Sequence, residues 1–234
     1  MQKQNLFKNL MSPLEAGIAL AYLPVHVFLL PALLVGYTRA SGNELTAAFS
    51  ETIYFGVGLI AITLFLWNFL RHSFDTLLDN LVYCIMTVMM GIFGILTLSQ
   101  FSAIIIMLLD IDVLASLQAA SPGADTVDAR TLLILGLGAI PVVQETLFRG
   151  LLFGVVRKKS RIWAYLLSAA AYVFYSLWQS MTAGVDISIL LILALTHIPE
   201  ALMLAWCYER ANSIWVPIIL SASISAIAFI PFLI

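Results

Sequence analysis

Charge is what this chain has least of. Of its 234 residues only 10% are charged, and the net charge is -2. Soluble domains carry roughly a quarter charged residues, so a soluble globular fold is excluded. Without a basic stripe, nucleic acid is excluded as a partner. Cysteine is scarce as well. Cys84 and Cys207 sit in apolar runs with neither CxxC nor zinc-ligand spacing, and read as small buried hydrophobes. No small-residue cleavage site of the A-x-A type follows the first apolar segment, so that segment reads as a retained helix. Internal repeats and low-complexity stretches are missing too.

What is present is apolar length. The composition is 62% hydrophobic with a mean hydropathy of +1.03, which describes a polytopic membrane protein. The expected fold is an all-α transmembrane helical bundle of about seven spans. Residues 1–234 read as a single integral membrane domain, with front helices and a loop over 1–130 and a motif-bearing core over 131–234.

After a polar head from Met1 to Ser12 with Lys3 and Lys8, a first apolar segment runs from Leu14 to Tyr37. Pro24 and Pro31 are expected to kink it, with His26 between them hydrogen-bonded to backbone that the prolines free. A second run, Leu45 to Leu70, is closed by Arg71, His72 and Asp75. A third, Leu81 to Leu109, has Gly91 and Gly94 at its middle, where a neighbouring helix can approach closely. The polar stretch from Asp110 to Arg130 is the longest connection, with a short surface helix expected near Val113 to Ala119. Further helices are expected over Thr131 to Val156, Ile162 to Gln179, Ile187 to Tyr208 and Ile214 to Ile234. Glu51 and Gln179 read as interfacial, and the tryptophans mostly as an aromatic belt.

Basic residues set the topology. With the N-terminus cytoplasmic, Lys3, Lys8, Arg71, Arg157, Lys158, Lys159, Arg161 and Arg210 collect on one side and only Arg39 and Arg130 on the other. The C-terminus then lies outside.

The chemistry concentrates in Pro141-Val142-Val143-Gln144-Glu145-Thr146-Leu147-Phe148-Arg149-Gly150, which sets ionisable groups inside an apolar run. Glu145 and Arg149 are four apart, acid before base, and so share a helix face. A lone charge near the bilayer centre costs about 2.5–3.5 kcal/mol, so the two are expected to pair in the bundle interior. On the sixth helix, Thr196-His197-Ile198-Pro199-Glu200 places a second imidazole and carboxylate three apart. His197 and Glu200 either satisfy each other or Arg149, or form with Glu145 a relocated site able to hold a metal.

Gln144-Glu145-Thr146-Leu147-Phe148-Arg149-Gly150 resembles the EExxxR motif of the CPBP family, the Abi or CAAX-protease-like intramembrane endopeptidases. Tyr208-Glu209-Arg210-Ala211-Asn212-Ser213-Ile214-Trp215-Val216-Pro217-Ile218 is similar to the family's YERTGSLWAPI segment, in the same order. The resemblance covers about Leu132 to Ile230 and implies peptide hydrolysis within the membrane of a bacterium. It also implies that the family's first motif glutamate is Gln144 here, its FxxxH histidine Trp178, and its HxxxN or HxxxD pair Ser221 and Ser225. An amide does not accept a proton as a carboxylate does, and an indole neither ligates metal nor shuttles protons. Glu145 and Arg149 survive from the motif.

The sequence is therefore read as an inactive CAAX-protease-like membrane protein that binds or regulates a membrane protein or membrane-embedded peptide. It has no cofactor; zinc or another divalent metal enters only with a rearranged site. Two other readings stay open: an active endopeptidase using Glu145, His197 and Glu200 in peptide or prenyl-protein processing, and a transporter component with a broken helix at Pro199.

Overall fold

The computed structural model describes residues 7–42, 45–108, 129–182 and 184–229, and all regular structure in them is helical. The expected surface helix near 113–119 and Lys3 lie outside these residues.

The first helix, α1, spans Pro13–Ser41 without interruption. Ser12 caps it through a capping box with Glu15, Pro13 opens it where no N–H is needed, and Gly42 closes it at φ 65°. The prolines do not break it. A π-helical turn over Val25–Leu29 separates two α-helical halves, and the Leu30 N–H reaches back to the Val25 carbonyl. The next bond of that pattern would run from residue 31 to the His26 carbonyl, and Pro31 has no N–H. The Tyr54 hydroxyl fills the place at 3.1 Å. The His26 imidazole pairs instead with the Tyr22 hydroxyl, 3.3 Å from Nδ1. It is thus the carbonyl of His26, not its ring, that meets the backbone consequence of the proline.

The expected second run is two helices. The α2 helix, Ala47–Phe65, ends where Leu66 leaves helical geometry (φ -117°, ψ 24°), and α3, Trp67–Asp79, begins directly after. The division follows polarity. Phe69, Leu70, Ser73 and Leu77 form a buried stripe at helical spacing, while Asn68, Arg71, His72 and Asp75 are exposed. The buried face meets the start of α1, where Glu15 Oε1 accepts the Phe69 N–H at 2.8 Å. It also meets the turn after Ala211, where the Ser213 hydroxyl donates to the Ser73 carbonyl at 2.7 Å and the Trp215 indole to the Leu70 carbonyl at 2.9 Å.

The third run is one helix, α4, Leu81–Leu108. Its partner is α8, Ile187–Ala211, and the glycines do what their position implied. A Cβ on Gly91 would lie 2.5 Å from Leu220 Cδ2 and 2.7 Å from Cys207 Sγ, and one on Gly94 would collide with the Met203 thioether. Close helix approach here requires the missing side chain.

The expected fourth helix is also divided. Gly138 (φ -125°, ψ -84°) separates α5, Ala129–Leu137, from α6, Ala139–Arg157. Two more helices complete the bundle: α7, Arg161–Thr182, and α9, Trp215–Phe229. Among the described residues five helices are long and apolar enough to cross a membrane, namely α1, α2, α4, α6 and α8; α9 is apolar but shorter. The outer surface carries large apolar side chains such as Phe93 (72% exposed) and Met107 (80%), a surface that suits lipid rather than water. The protein is an integral membrane helical bundle.

One end of the bundle gathers the basic residues. Glu209 on α8 binds Arg157, Arg161 at 3.0 Å and the Tyr165 hydroxyl at 2.8 Å. Phe7 packs edge-on against Phe153 and Tyr208, and the Lys8 N–H donates to the Asn212 side chain at 3.0 Å. Residues 7–12, α3, the segment after α6 and the α8–α9 turn thus meet at one end.

Candidate functional site

The motif helix α6 is the buried centre of the bundle. Its span is 67% buried, against 17–28% for the other four candidate spans. Gly150 and Gly154 make this possible, since a Cβ at either would press on Phe69 or on Asn9. Within α6 the motif sits at a change of helix type: Ala139–Glu145 is α-helical and Thr146–Phe153 is π-helical. The Ser168 hydroxyl on α7 donates to the Phe148 carbonyl of the π segment at 3.0 Å. Such segments are often found at functional sites.

Glu145 and Arg149 are both fully buried and paired. Arg149 Nη1 donates to Glu145 Oε1 at 3.3 Å, and Arg149 Nε lies 3.3 Å from Oε2 without the alignment of a hydrogen bond. The guanidinium also donates to the Ala201 carbonyl at 3.3 Å and lies 4.2 Å from the centre of the Tyr172 ring. A cation enclosed by a carboxylate, a carbonyl and an aromatic face is held in place on three sides.

Beside this pair lies a cavity of about 580 Å³ between α1, α2 and α7. Gln144 and Trp178, two positions singled out by sequence, are on its wall, as is His197. Glu145 and Arg149, the adjacent motif residues, are not among its lining residues. Gln144 interacts with the Tyr175 hydroxyl, which in turn lies 3.2 Å from that of Tyr54. Ser221 is buried and Ser225 half-buried on α9, and neither lines the cavity.

Tyr172 stands at the junction of pair and cavity. Its face is covered by Arg149 and its edge by the His197 ring, with centroids 6.4 Å apart. No ion pair within 4 Å joins His197 to Glu200 among the described residues. Nor do three His, Cys, Asp or Glu side chains among them converge closely enough to hold a metal ion. Glu145, His197 and Glu200 therefore do not form a ligand set. A carboxylate bound to guanidinium, an amide and an indole do not fit a metal.

With this geometry in place, the family comparison is decisive for the back half. Residues 127–227 match the family described as Rce1-like, type II CAAX prenyl endopeptidase. This half is CAAX-protease-like. The match spans the fourth to the last expected helix, including both motifs and every one of the four positions noted from the resemblance. Searches of curated proteins and of solved structures returned no match.

Sequence reasoning missed several residues of this bundle. Tyr172, Tyr175 and Tyr54 organise the cavity, yet tyrosines at helical spacing in an apolar run give no distinguishing signal. Glu15 was legible: Ser12-Pro13-Leu14-Glu15 is a capping-box pattern, and its buried carboxylate also caps α3.

Proposed function

We propose that this chain is a catalytically inactive CAAX-protease-like protein of the bacterial cytoplasmic membrane that binds a transmembrane segment of a partner protein. The observation that supports the reading is the separation of Glu145 from the cavity. Intramembrane hydrolysis needs a carboxylate or imidazole that takes a proton from a water molecule beside the scissile bond. At the wall positions where the resemblance implies that chemistry stand the Gln144 amide and the Trp178 indole; the carboxylate and imidazole that the wall does hold, Glu51 and His197, stand at neither of those positions. The neighbouring carboxylate, Glu145, is 0% exposed and committed to Arg149.

Burial of α6 and the apolar outer surface suit a scaffold that holds another helix. The meeting of Lys8, α3 with Arg71, and Arg157 to Arg161 at one end of the bundle supports a cytoplasmic N-terminus by the positive-inside rule.

The test is affinity purification from native membranes in mild detergent, with mass spectrometry of what co-purifies. A membrane protein recovered in near-stoichiometric amount is expected. Recovery of the chain alone with bound zinc, lost in His197→Ala, would replace this reading with a rearranged protease.

A further inference from the structure

A groove on the outer surface of the bundle has a cationic mouth over an apolar floor. We propose that this groove, between α7 and α8, binds a glycerophospholipid with a net negative headgroup, of the phosphatidylglycerol type, at the basic end of the bundle.

The two helices run in opposite directions, so α7 begins where α8 ends, and each brings an arginine to that end. On α7 the groove is lined by Arg161, Ile162 and Leu166, and on α8 by Leu202, Met203 and Trp206. Along α8, Leu202, Trp206 and Arg210 stand four residues apart and so share a face, and the Arg210 guanidinium lies 5.6 Å from the centre of the Trp206 ring. The row thus passes from apolar to cationic toward the basic end. The groove holds about 560 Å³.

Positive charge is in surplus at the mouth. Glu209 is shared by Arg157 and Arg161, two guanidiniums on one carboxylate, and its side chain is 8% exposed where that of Arg161 is 63% exposed. Arg210, next to Glu209 in the chain, and Lys158 and Lys159, next to Arg157, are exposed as well. The acids of α3, Asp75 and Asp79, belong to a helix that packs on α2, α4 and α9. Basic pockets between membrane helices on the cytoplasmic side suit anionic headgroups. Trp163 in the first turn of α7 and Trp206 near the end of α8 stand at the level where tryptophan marks the membrane interface.

Other occupants match less well. A free phosphate would use the arginines and make nothing of the apolar groove beneath them. A zwitterionic lipid would bring its own cation to the guanidiniums. An apolar helix of another protein would cover the floor and leave the guanidiniums without an anion. A lipid phosphate at the mouth, with an acyl chain laid along Ile162, Leu166, Leu202 and Met203, satisfies both parts. The floor is also fixed from behind, where the Met203 thioether lies against Gly94 of α4, so little freedom is lost on binding. No residue lining this groove also lines the cavity between α1, α2 and α7, so the lipid site and the partner reading stand or fall separately.

The experiment uses the full chain in a neutral detergent, titrated with phosphatidylglycerol or phosphatidylcholine of the same acyl chains, with bound lipid counted by native mass spectrometry. Phosphatidylglycerol is expected to bind about tenfold tighter than phosphatidylcholine. Arg161→Gln and Arg210→Gln should each cut that preference to about threefold or less. The double variant Lys158→Gln/Lys159→Gln removes two charges outside the groove lining and should keep most of it. Should Arg161→Gln misfold through the loss of its bond to Glu209, Ile162→Glu reads the same preference by placing a negative charge at an exposed position of the groove. Equal binding of the two lipids, a loss in the lysine variant as large as in the arginine variants, or displacement of phosphatidylglycerol by millimolar inorganic phosphate would overturn the proposal. So would a lipid preference that survives both arginine substitutions, and release of a co-purifying protein by those same substitutions would then assign the groove to that protein.

Discussion

The Tyr54 hydroxyl lies 3.1 Å from the His26 carbonyl, in the position that the absent N–H of Pro31 leaves unfilled. A side chain on α2 thus completes the backbone hydrogen bonding of α1, and the same hydroxyl reaches Tyr175 on α7 at 3.2 Å. In an apolar interior that carbonyl has no water to turn to.

Tyr54→Phe should therefore destabilise the bundle by about 1–3 kcal/mol, the cost of a buried polar group left unsatisfied. Pro31→Ala restores an N–H at the right place, so the double variant should recover part of the loss. Thermal unfolding in detergent of the four proteins of this cycle measures it. A double variant no more stable than Tyr54→Phe alone would refute the assignment of the carbonyl to Pro31.

Glu145 and Arg149 make a second, larger prediction. Removing one member of a buried pair strands the other, at about 3–5 kcal/mol. Glu145→Leu and Arg149→Leu should each lower the unfolding temperature and the yield of monodisperse protein sharply. Replacing both with apolar residues should cost less than either alone.

The packing of α4 against α8 and α9 predicts an order among glycine substitutions. Gly91→Ala would push against Leu220, which is fully buried, and should cost about 1–3 kcal/mol by overpacking. Gly94→Ala meets only the flexible end of the half-buried Met203 and should cost less. Gly56→Ala on α2, with nothing within 4 Å of the added carbon, should be neutral or stabilising by a few tenths of a kcal/mol. Unfolding curves of the three variants give the ranking directly.

At the N-terminus of α8, the Asp186 carboxylate accepts from the Ser188 hydroxyl at 2.6 Å and from the Ser188 N–H at 2.9 Å. Those bonds, the hydroxyl first, hold its pKa below the ordinary aspartate value. A depressed folded pKa means that the cap stabilises above the unfolded pKa, near 4, and that this is lost as pH falls through the folded value. Hydrogen exchange of the first-turn amides of α8 should accelerate in acid relative to those of α9. Asp186→Asn, which caps without titrating, should remove the pH dependence.

The bundle and its buried pair were legible because the signals are local. An apolar run announces a span, and acid before base at i, i+4 announces a pair. Breaks within apolar runs were harder to see. Leu66 ends α2 because α3 has a polar face on the far side of it, which hydropathy averaged over a long window conceals. Gly138 breaks what looked like one helix, though glycine in a membrane helix more often marks close packing, as Gly91 does. The cavity was least legible. It is built from α1, α2 and α7, and no spacing along the chain shows that Tyr54 and Tyr175 meet.

The π segment of α6 turns spacing into a matter of rotation. In an α-helix each residue advances the direction of its side chain by about 100°, and a wider turn advances it less. Straightening Thr146 to Phe153 into α-helix without removing a residue would leave Glu145 where it is and swing everything beyond the segment around the helix axis. Arg157 would leave Glu209, and Gly154 would no longer face Asn9. The π geometry between the motif and the basic end thus works as an angular gauge, which reversion to α-helix at unchanged length upsets even when every contacting residue is kept.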